Sequence, residues 1–247
     1  MTNVPKSRTN FQTTTARGAV VHHCTESIVS CDEAWESAYE RFETPDEEVA
    51  KFTSRFRSMK IDRFDKSIEV VDLFCGRGNG MIALDRLGFK HVEGVDLSLP
   101  LLQKHDSKGR YLYLADCREL PFDNGSKDLV IVQGGLHHLP KLPDDVRQTV
   151  CEVKRVLRPG GRFAIVEPYP TQTLPWIHWI SERPFVRTAS KKLDALAVMT
   201  DRERVTYENW LANIPQLREE IMRSFEVEHD EITWTKWMFV GRSGVAL

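Results

Sequence analysis

The chain has 247 residues, 41% of them hydrophobic and 28% charged, with a formal net charge of −2. That length can bury a full core, and that balance is typical of a soluble globular protein. It carries no overall basic field to draw it to nucleic acid or an anionic membrane, although a local basic patch is still allowed. No apolar run reaches the length of a membrane span, and Lys6 and Arg8 are not followed by the apolar stretch a signal peptide needs. The five cysteines (24, 31, 75, 117 and 151) are odd in number and scattered, which fits a reducing, cytoplasmic compartment.

Residues 1–29 are polar, Thr-rich and without period, and read as a mobile tail. His22, His23, Cys24 and Cys31 match no standard zinc spacing, so they read as incidental and no metal site is assigned. Residues 30–62 read as two helices that pack on or cap the core. Ser30-Cys31-Asp32-Glu33 has capping-box spacing, with Trp35, Tyr39 and Phe42 next on one face. Thr44-Pro45-Asp46-Glu47 is a fuller start, with Thr as N-cap, Pro at N1 and Glu at N3. Val49, Phe52, Phe56 and Met59 then form an apolar stripe at helical spacing. The stripe packs on the core; the alternative is that the segment also closes over a ligand.

From residue 63 to the end the pattern is one domain. Ile68 to Phe74 fits a buried strand, and Gly76, Gly78 and Gly80 come next at alternate positions. Met81 to Leu87 reads as a helix stopped by Gly88. His91–Asp96 is a strand, and Pro100–Lys104 starts a helix. Tyr111–Ala115 is a strand, and Asp128–Val132 is another. Pro143 to Leu157 is a helix with Val146, Val150, Val153 and Leu157 on one side. Arg158-Pro159-Gly160-Gly161 reads as a turn before the strand Arg162–Val166. This alternation predicts an α/β fold, a doubly wound and mostly parallel sheet covered on both faces. Residues 168–223 break the rhythm. They are rich in rings (Tyr169, Trp176, His178, Trp179, Phe185, Tyr207, Trp210), look partly helical, and read as an inserted lid. Phe225–Thr233 and Trp237–Val240 read as an antiparallel hairpin closing the sheet.

A strand that turns through glycines into a helix brings bare backbone N–H groups to one point, which suits a nucleotide-like ligand. A dinucleotide site wants G-x-G-x-x-G, whereas here the spacing is G-x-G-x-G, with Met81 in the sixth position. Asp72 precedes the loop, Asp96 ends the next strand, Asp116-Cys117 comes after the third, and Gln133-Gly134-Gly135-Leu136-His137-His138-Leu139 after the fourth. All lie at carboxyl ends of strands, where open α/β sheets bind ligands.

On these residues the chain resembles the class I S-adenosylmethionine-dependent methyltransferases, in particular the type 11 group. The likeness rests on Asp72 to Gly80, Val95-Asp96-Leu97-Ser98, Ala115-Asp116-Cys117, Leu136-His137-His138-Leu139 and Val156 to Gly161. It covers about residues 67–168. It implies a Rossmann-like seven-stranded sheet with an antiparallel last strand and S-adenosyl-L-methionine across the strand ends. Gly76, Gly78 and Gly80, with Asn79, would approach the methionine and ribose. Asp96 would bind the ribose hydroxyls, Leu97 would pack on the adenine, and Asp116 and Cys117 would face its edge. The Gln133 backbone would meet the methionine amino group. Asp72 either touches the ligand or orders the loop.

The reaction so implied is in-line displacement on an already activated methyl group, so the protein mainly supplies alignment and a dry pocket. An oxygen or protonated nitrogen acceptor also needs a base. The candidates are His137, His138, Glu167 and Tyr169, with His178 in the insertion. The insertion's rings suggest an apolar acceptor pocket or simple burial against the sheet. Arg183, Arg187, Lys191 and Lys192 suggest an anion contact or a solvated face. The acceptor expected is a small or medium-sized molecule, with nucleic acid disfavoured. Methyl transfer to RNA or protein, a non-catalytic cofactor-binding module and a nicotinamide-dependent oxidoreductase are the competing readings. The sequence carries no sign of the oligomeric state.

Overall fold

The computed structural model describes residues 12–16, 19–25, 33–105, 110–173, 176, 179, 183, 185, 188 and 190–244. Nine strands form one sheet: β1 (Gln12–Ala16), β2 (Ala19–His23), β3 (Glu69–Leu73), β4 (His91–Asp96), β5 (Tyr111–Leu114), β6 (Lys127–Gln133), β7 (Leu157–Pro168), β8 (Glu226–Ile232) and β9 (Lys236–Arg242). The spatial order is β1-β2-β5-β4-β3-β6-β7-β9-β8. From β2 to β7 every neighbouring pair is parallel, and β9 and β8 return antiparallel. The seven strands expected from the sequence are therefore present, with two more added at one edge.

The extra pair corrects the reading of residues 1–29 as a tail. β1 and β2 form an antiparallel hairpin, and β2 lies parallel to β5. Ala19 and Val21 are fully buried. A two-residue apolar signal is too short to announce a strand by period, but it suffices once β5 offers an open edge to cover. His22 stacks on Tyr111 and Tyr113, and His23 bonds Thr14, so neither is placed as a ligand. Cys31 and the capping-box residues Ser30 to Asp32 lie outside the described residues.

Two layers of helices cover the sheet. Helices α1 (Glu33–Phe42) and α2 (Pro45–Ser58) precede β3. Thr44 caps α2 as the sequence predicts: its Oγ1 accepts from the Glu47 N–H, and the Glu47 carboxylate accepts from the Thr44 N–H. Val49, Phe52, Phe56 and Met59 bury against one face of the sheet, beside Met81 and Leu84 of α3 (Asn79–Arg86). Short α4 (Leu99–Lys104) comes after β4, and α5 (Asp144–Val156) buries Val146, Val150 and Val153 on the opposite face. Within 157–168 the predicted turn at 158–161 is instead a bulge inside β7. Leu157 pairs Lys127, Arg162 pairs Leu129, and Gly160 and Gly161 bond Ser243.

The insertion contributes α6 (Lys191–Arg202) and α7 (Arg204–Ser224). In α7, Trp210, Ile214, Leu217 and Ile221 recur at helical spacing and are all buried against the α5 face. The Trp210 indole N–H donates to the Pro168 carbonyl at 2.8 Å. So α7 is a core helix, and among the described residues of the insertion α6 and the start of α7 line the cavity at the strand ends. There α6 meets α1, where Arg41 pairs with Asp194 at 3.2 Å; Lys192 also reaches Glu47 at 2.6 Å.

Candidate functional site

A cavity of about 930 Å³ opens at the carboxyl ends of β3 to β7, walled by α1, α2, α6 and the start of α7. Its floor is built by the glycine loop. Gly78 stands at φ 85°, and a Cβ there would overlap the His105 ring. At Gly80 a Cβ would lie 2.4 Å from Asp72 Oδ2. Both positions exclude side chains, and they leave the α3 N-terminus open as an anion- and dipole-binding end. Phe74, just before the loop, also holds a left-handed φ of 57°, a conformation that costs energy for a bulky residue and marks a constrained turn.

Asp96 ends β4 facing this loop. Its Oδ2 accepts from the Gly76 N–H and its Oδ1 from the Ser98 N–H, both at 2.8 Å. Burial pushes its pKa above the usual carboxylate range, against these N–H donors. Asp72 is more buried still. Desolvation, reinforced by Asp96 and Glu48, pushes it up to about 8. The Asn79 amide donates to Glu48 of α2, which ties that helix to the loop. Gln133, at the end of β6, has both amide atoms buried without a protein hydrogen-bond partner. Such atoms are costly unless a ligand answers them. The cradle at Gly78 and Gly80, the carboxylate of Asp96 and the Gln133 amide together fit a polar adenosyl amino acid.

Most of the expected cofactor residues meet here: Asp72, Gly76, Asn79, Gly80, Asp96, Leu97, Cys117 and Gln133 line the cavity. Gly78 lies beneath them in the loop. Asp116 does not line it. Its carboxylate is clamped by Arg118, at 2.6 Å to Nη2 and 2.8 Å to the backbone N. Burial would raise its pKa, but Arg118 outweighs burial and holds it low. After β5 the cavity wall is instead Ala115, Cys117 and Arg118. The Cys117 thiol is pushed up to about 12 by burial and is not a nucleophile.

The four base candidates separate. Glu167 is fully buried; its Oε1 accepts from the Gly135 and Leu136 N–H groups at 2.7 Å, and its Oε2 meets His137 Nδ1 at 2.8 Å. Burial pulls its pKa up, but His137 and the two N–H groups prevail and hold it below the ordinary range. It is a positioning residue for the 3₁₀ turn Leu136–His138. Tyr169 packs on the core, with its N–H bonded to the Thr235 carbonyl, and does not line the cavity. His178 lies outside the described residues. His137 and His138 both line the cavity, with ring centroids 4.1 Å apart.

The residue sequence reasoning missed is Glu203, at the break between α6 and α7. It lies 3.8 Å from His137 Nε2 and 3.6 Å from His138 Nδ1. Burial opposes charge on both imidazoles. Two carboxylates overcome it at His137, whose pKa is raised, while the neighbouring His137 cation adds to burial at His138, whose pKa is lowered. One proton is thus held on His137, and His138 is neutral at pH 7. The ligand atoms of His137, His138 and Glu203 all lie within 4.8 Å of one another, so this trio also has the composition of a small-cation site. Lys191 and Lys192 point to the surface, where Lys192 pairs with Glu47; Arg183 lies over Trp179; Arg187 is outside the described residues.

Residues 71–165 match the family described as "Methyltransferase domain". Those residues span the strands β3 to β7 and the glycine loop, so the match falls on the cavity floor. A demethylmenaquinone methyltransferase of Leptospira interrogans is 32% identical over 136 residues, 51% of this chain and 53% of that protein. The chain thus spans about half the length of the curated relatives it matches. Two solved structures share the fold. One, from Pyrococcus horikoshii, has TM-score 0.60 at 17% identity over 86% of this chain and all of its own. The other, a putative S-adenosyl-L-methionine-dependent methyltransferase from Methanococcus maripaludis, has TM-score 0.59 at 14% identity over 89% and 97%. Among the described residues no helix is long and apolar enough to cross a membrane, and Cys24, Cys75, Cys117 and Cys151 are free thiols.

Proposed function

We propose that this methyltransferase domain moves a methyl group to a small or medium-sized molecule seated between the glycine loop and the His137–His138 turn. The observation that carries this is one continuous cavity, roofed by helices, that joins Asp96 and Gln133 to His138 and Glu203. Its size suits a cofactor and a compact acceptor together. The demethylmenaquinone methyltransferase relatives support a small-molecule acceptor class.

When bound, S-adenosylmethionine supplies a methyl group on a sulfonium, already activated for displacement. Asp96 holds the ribose hydroxyls, Gly76 to Gly80 approach the amino-acid end, and the Gln133 amide answers a polar group there. Leu97 and Cys117 flank the base. His138, neutral and in the cavity wall, takes the acceptor's proton. Glu167 fixes the His137 ring, and the Glu203 carboxylate beside His138 opposes the His137 cation and stabilises the imidazolium formed during transfer.

The test is turnover of labelled S-adenosylmethionine against a panel of phenols, amines and carboxylic acids, run with and without a metal chelator. Labelled product insensitive to the chelator agrees with a proton held in the histidine pair. Loss of product that a divalent ion restores would reassign His137, His138 and Glu203 to a cation.

A further inference from the structure

Three cationic side chains line the cavity on the side away from Asp96: Lys51 and Arg55 from α2, and Lys236 from the first position of β9. They act on one another, since Arg55 lowers the pKa of both lysines. Lys236 pairs in register with Pro168 at the carboxyl end of β7, one residue past Glu167. In the sheet order, β9 lies beyond β6 and β7, whereas the ribose-binding Asp96 is on β4. The cations therefore border the space on the His137 side of the cofactor.

The acids nearby are already engaged. Glu43 pairs with Lys51, Glu48 accepts from Asn79, and Glu167 serves two backbone N–H groups and His137. Among the described residues neither Arg55 nor Lys236 has a carboxylate within ion-pair distance. Glu43, Glu48 and Glu167 attract Arg55, and Glu167 and Glu43 attract Lys236, only from beyond contact, which leaves both half-buried cations at a cost in the free protein. Burial, then Arg55, pushes the Lys236 ammonium down to about 7. A ligand anion would remove this cost, and a guanidinium beside an ammonium is the donor set that carboxylate and phosphate groups select.

Resting on the methyltransferase reading above, we propose that the methyl acceptor carries an anionic group, a carboxylate or a phosphate, held by Arg55 and Lys236 while its nucleophile faces His138. The sequence offered the cations of the insertion as an anion contact or a solvated face; of these, Lys191 and Lys192 are exposed. The roof helix α2 thus has two roles: it ties to the cofactor loop through Glu48 and reads the acceptor through Arg55.

The experiment is calorimetry on the full chain saturated with S-adenosylhomocysteine. The probes are a panel of aromatic and aliphatic carboxylic acids, the primary amide of each, and phenyl phosphate. The expected result is binding of acids or of phenyl phosphate with no measurable binding of the amides. Lys236→Met and Arg55→Met should each weaken the anion by about tenfold or more and leave S-adenosylhomocysteine affinity unchanged. Equal response to acids and amides, or none to either, overturns the proposal. So does loss of S-adenosylhomocysteine affinity in both variants, which would give these cations to the cofactor's own carboxylate. Failure of the wild type to bind S-adenosylhomocysteine counts against the methyltransferase reading, and the acid-against-amide comparison on the free protein then decides the anion site separately.

Discussion

In the function proposed above, Glu167 positions and His138 takes the proton, a task that the sequence offered to five residues. Glu167→Gln keeps an oxygen for the Gly135 and Leu136 N–H groups but removes the charge that holds the proton on His137. With His137 neutral, His138 no longer faces a cation and its pKa rises. The expected outcome is that the acid limb of the pH–rate profile moves to higher pH, with the rate lost below it. A profile that merely drops in height would make Glu167 a structural residue only. Asp72 gives a second prediction. Its folded pKa is about 8, above its unfolded value, so the folded state holds the proton more tightly. Stability from this group is full at low pH and is lost as pH rises from about 4 through 8. Asp72→Asn should therefore stabilise the cofactor-free protein at pH 8 by on the order of 2 kcal/mol and flatten that slope in urea titrations at several pH values. Asp72, Asp96 and the glycines were legible in the sequence because backbone geometry demands them at fixed spacing. Asp116 misled because a strand-end acid looks the same whether it faces a ligand or, as here, an arginine two residues on. Glu203, Arg55 and Lys236 had no local signature. Only the packing of α2, α6, α7 and β9 around one cavity gives them a role.

At the scale of elements, periodicity carried the central strands and α2, α3 and α5, where apolar residues recur at a helical or strand repeat over several turns or positions. It failed at β1 and β2, a hairpin whose inner strand β2 pairs with β5, some ninety residues away. It also failed at 158–161, where glycines bulge within a strand rather than ending it. The insertion divides between two roles. Trp210 of α7 is wholly buried with its N–H satisfied, so Trp210→Ala should cost about 3–5 kcal/mol in denaturant unfolding. A cost under 1 kcal/mol would mean that α7 is not part of the core. By contrast, α6 meets α1 through Arg41–Asp194, an exposed pair of the kind worth little. Its amides should exchange with deuterium readily in the free protein and become protected when S-adenosylhomocysteine binds. Equal exchange in both states would remove α6 from the roof.

Across the whole molecule, the same helices border both ends of the cavity. α2 touches Asn79 through Glu48 and lines the far side through Arg55, while α1 and α6 stand between them. Every role assigned above depends on the strand ends of β3, β4 and β6 being a cofactor site, and Asp96 carries most of that weight. The deciding measurement is calorimetric titration of S-adenosylhomocysteine into the wild type and Asp96→Ala, with circular dichroism to confirm that both are folded. One site of micromolar affinity or tighter is expected in the wild type, with about a hundredfold loss in the variant. Neither protein should bind NAD. Unchanged affinity in a folded Asp96→Ala protein, or binding of NAD instead, would overturn the assignment of the strand ends to S-adenosylmethionine.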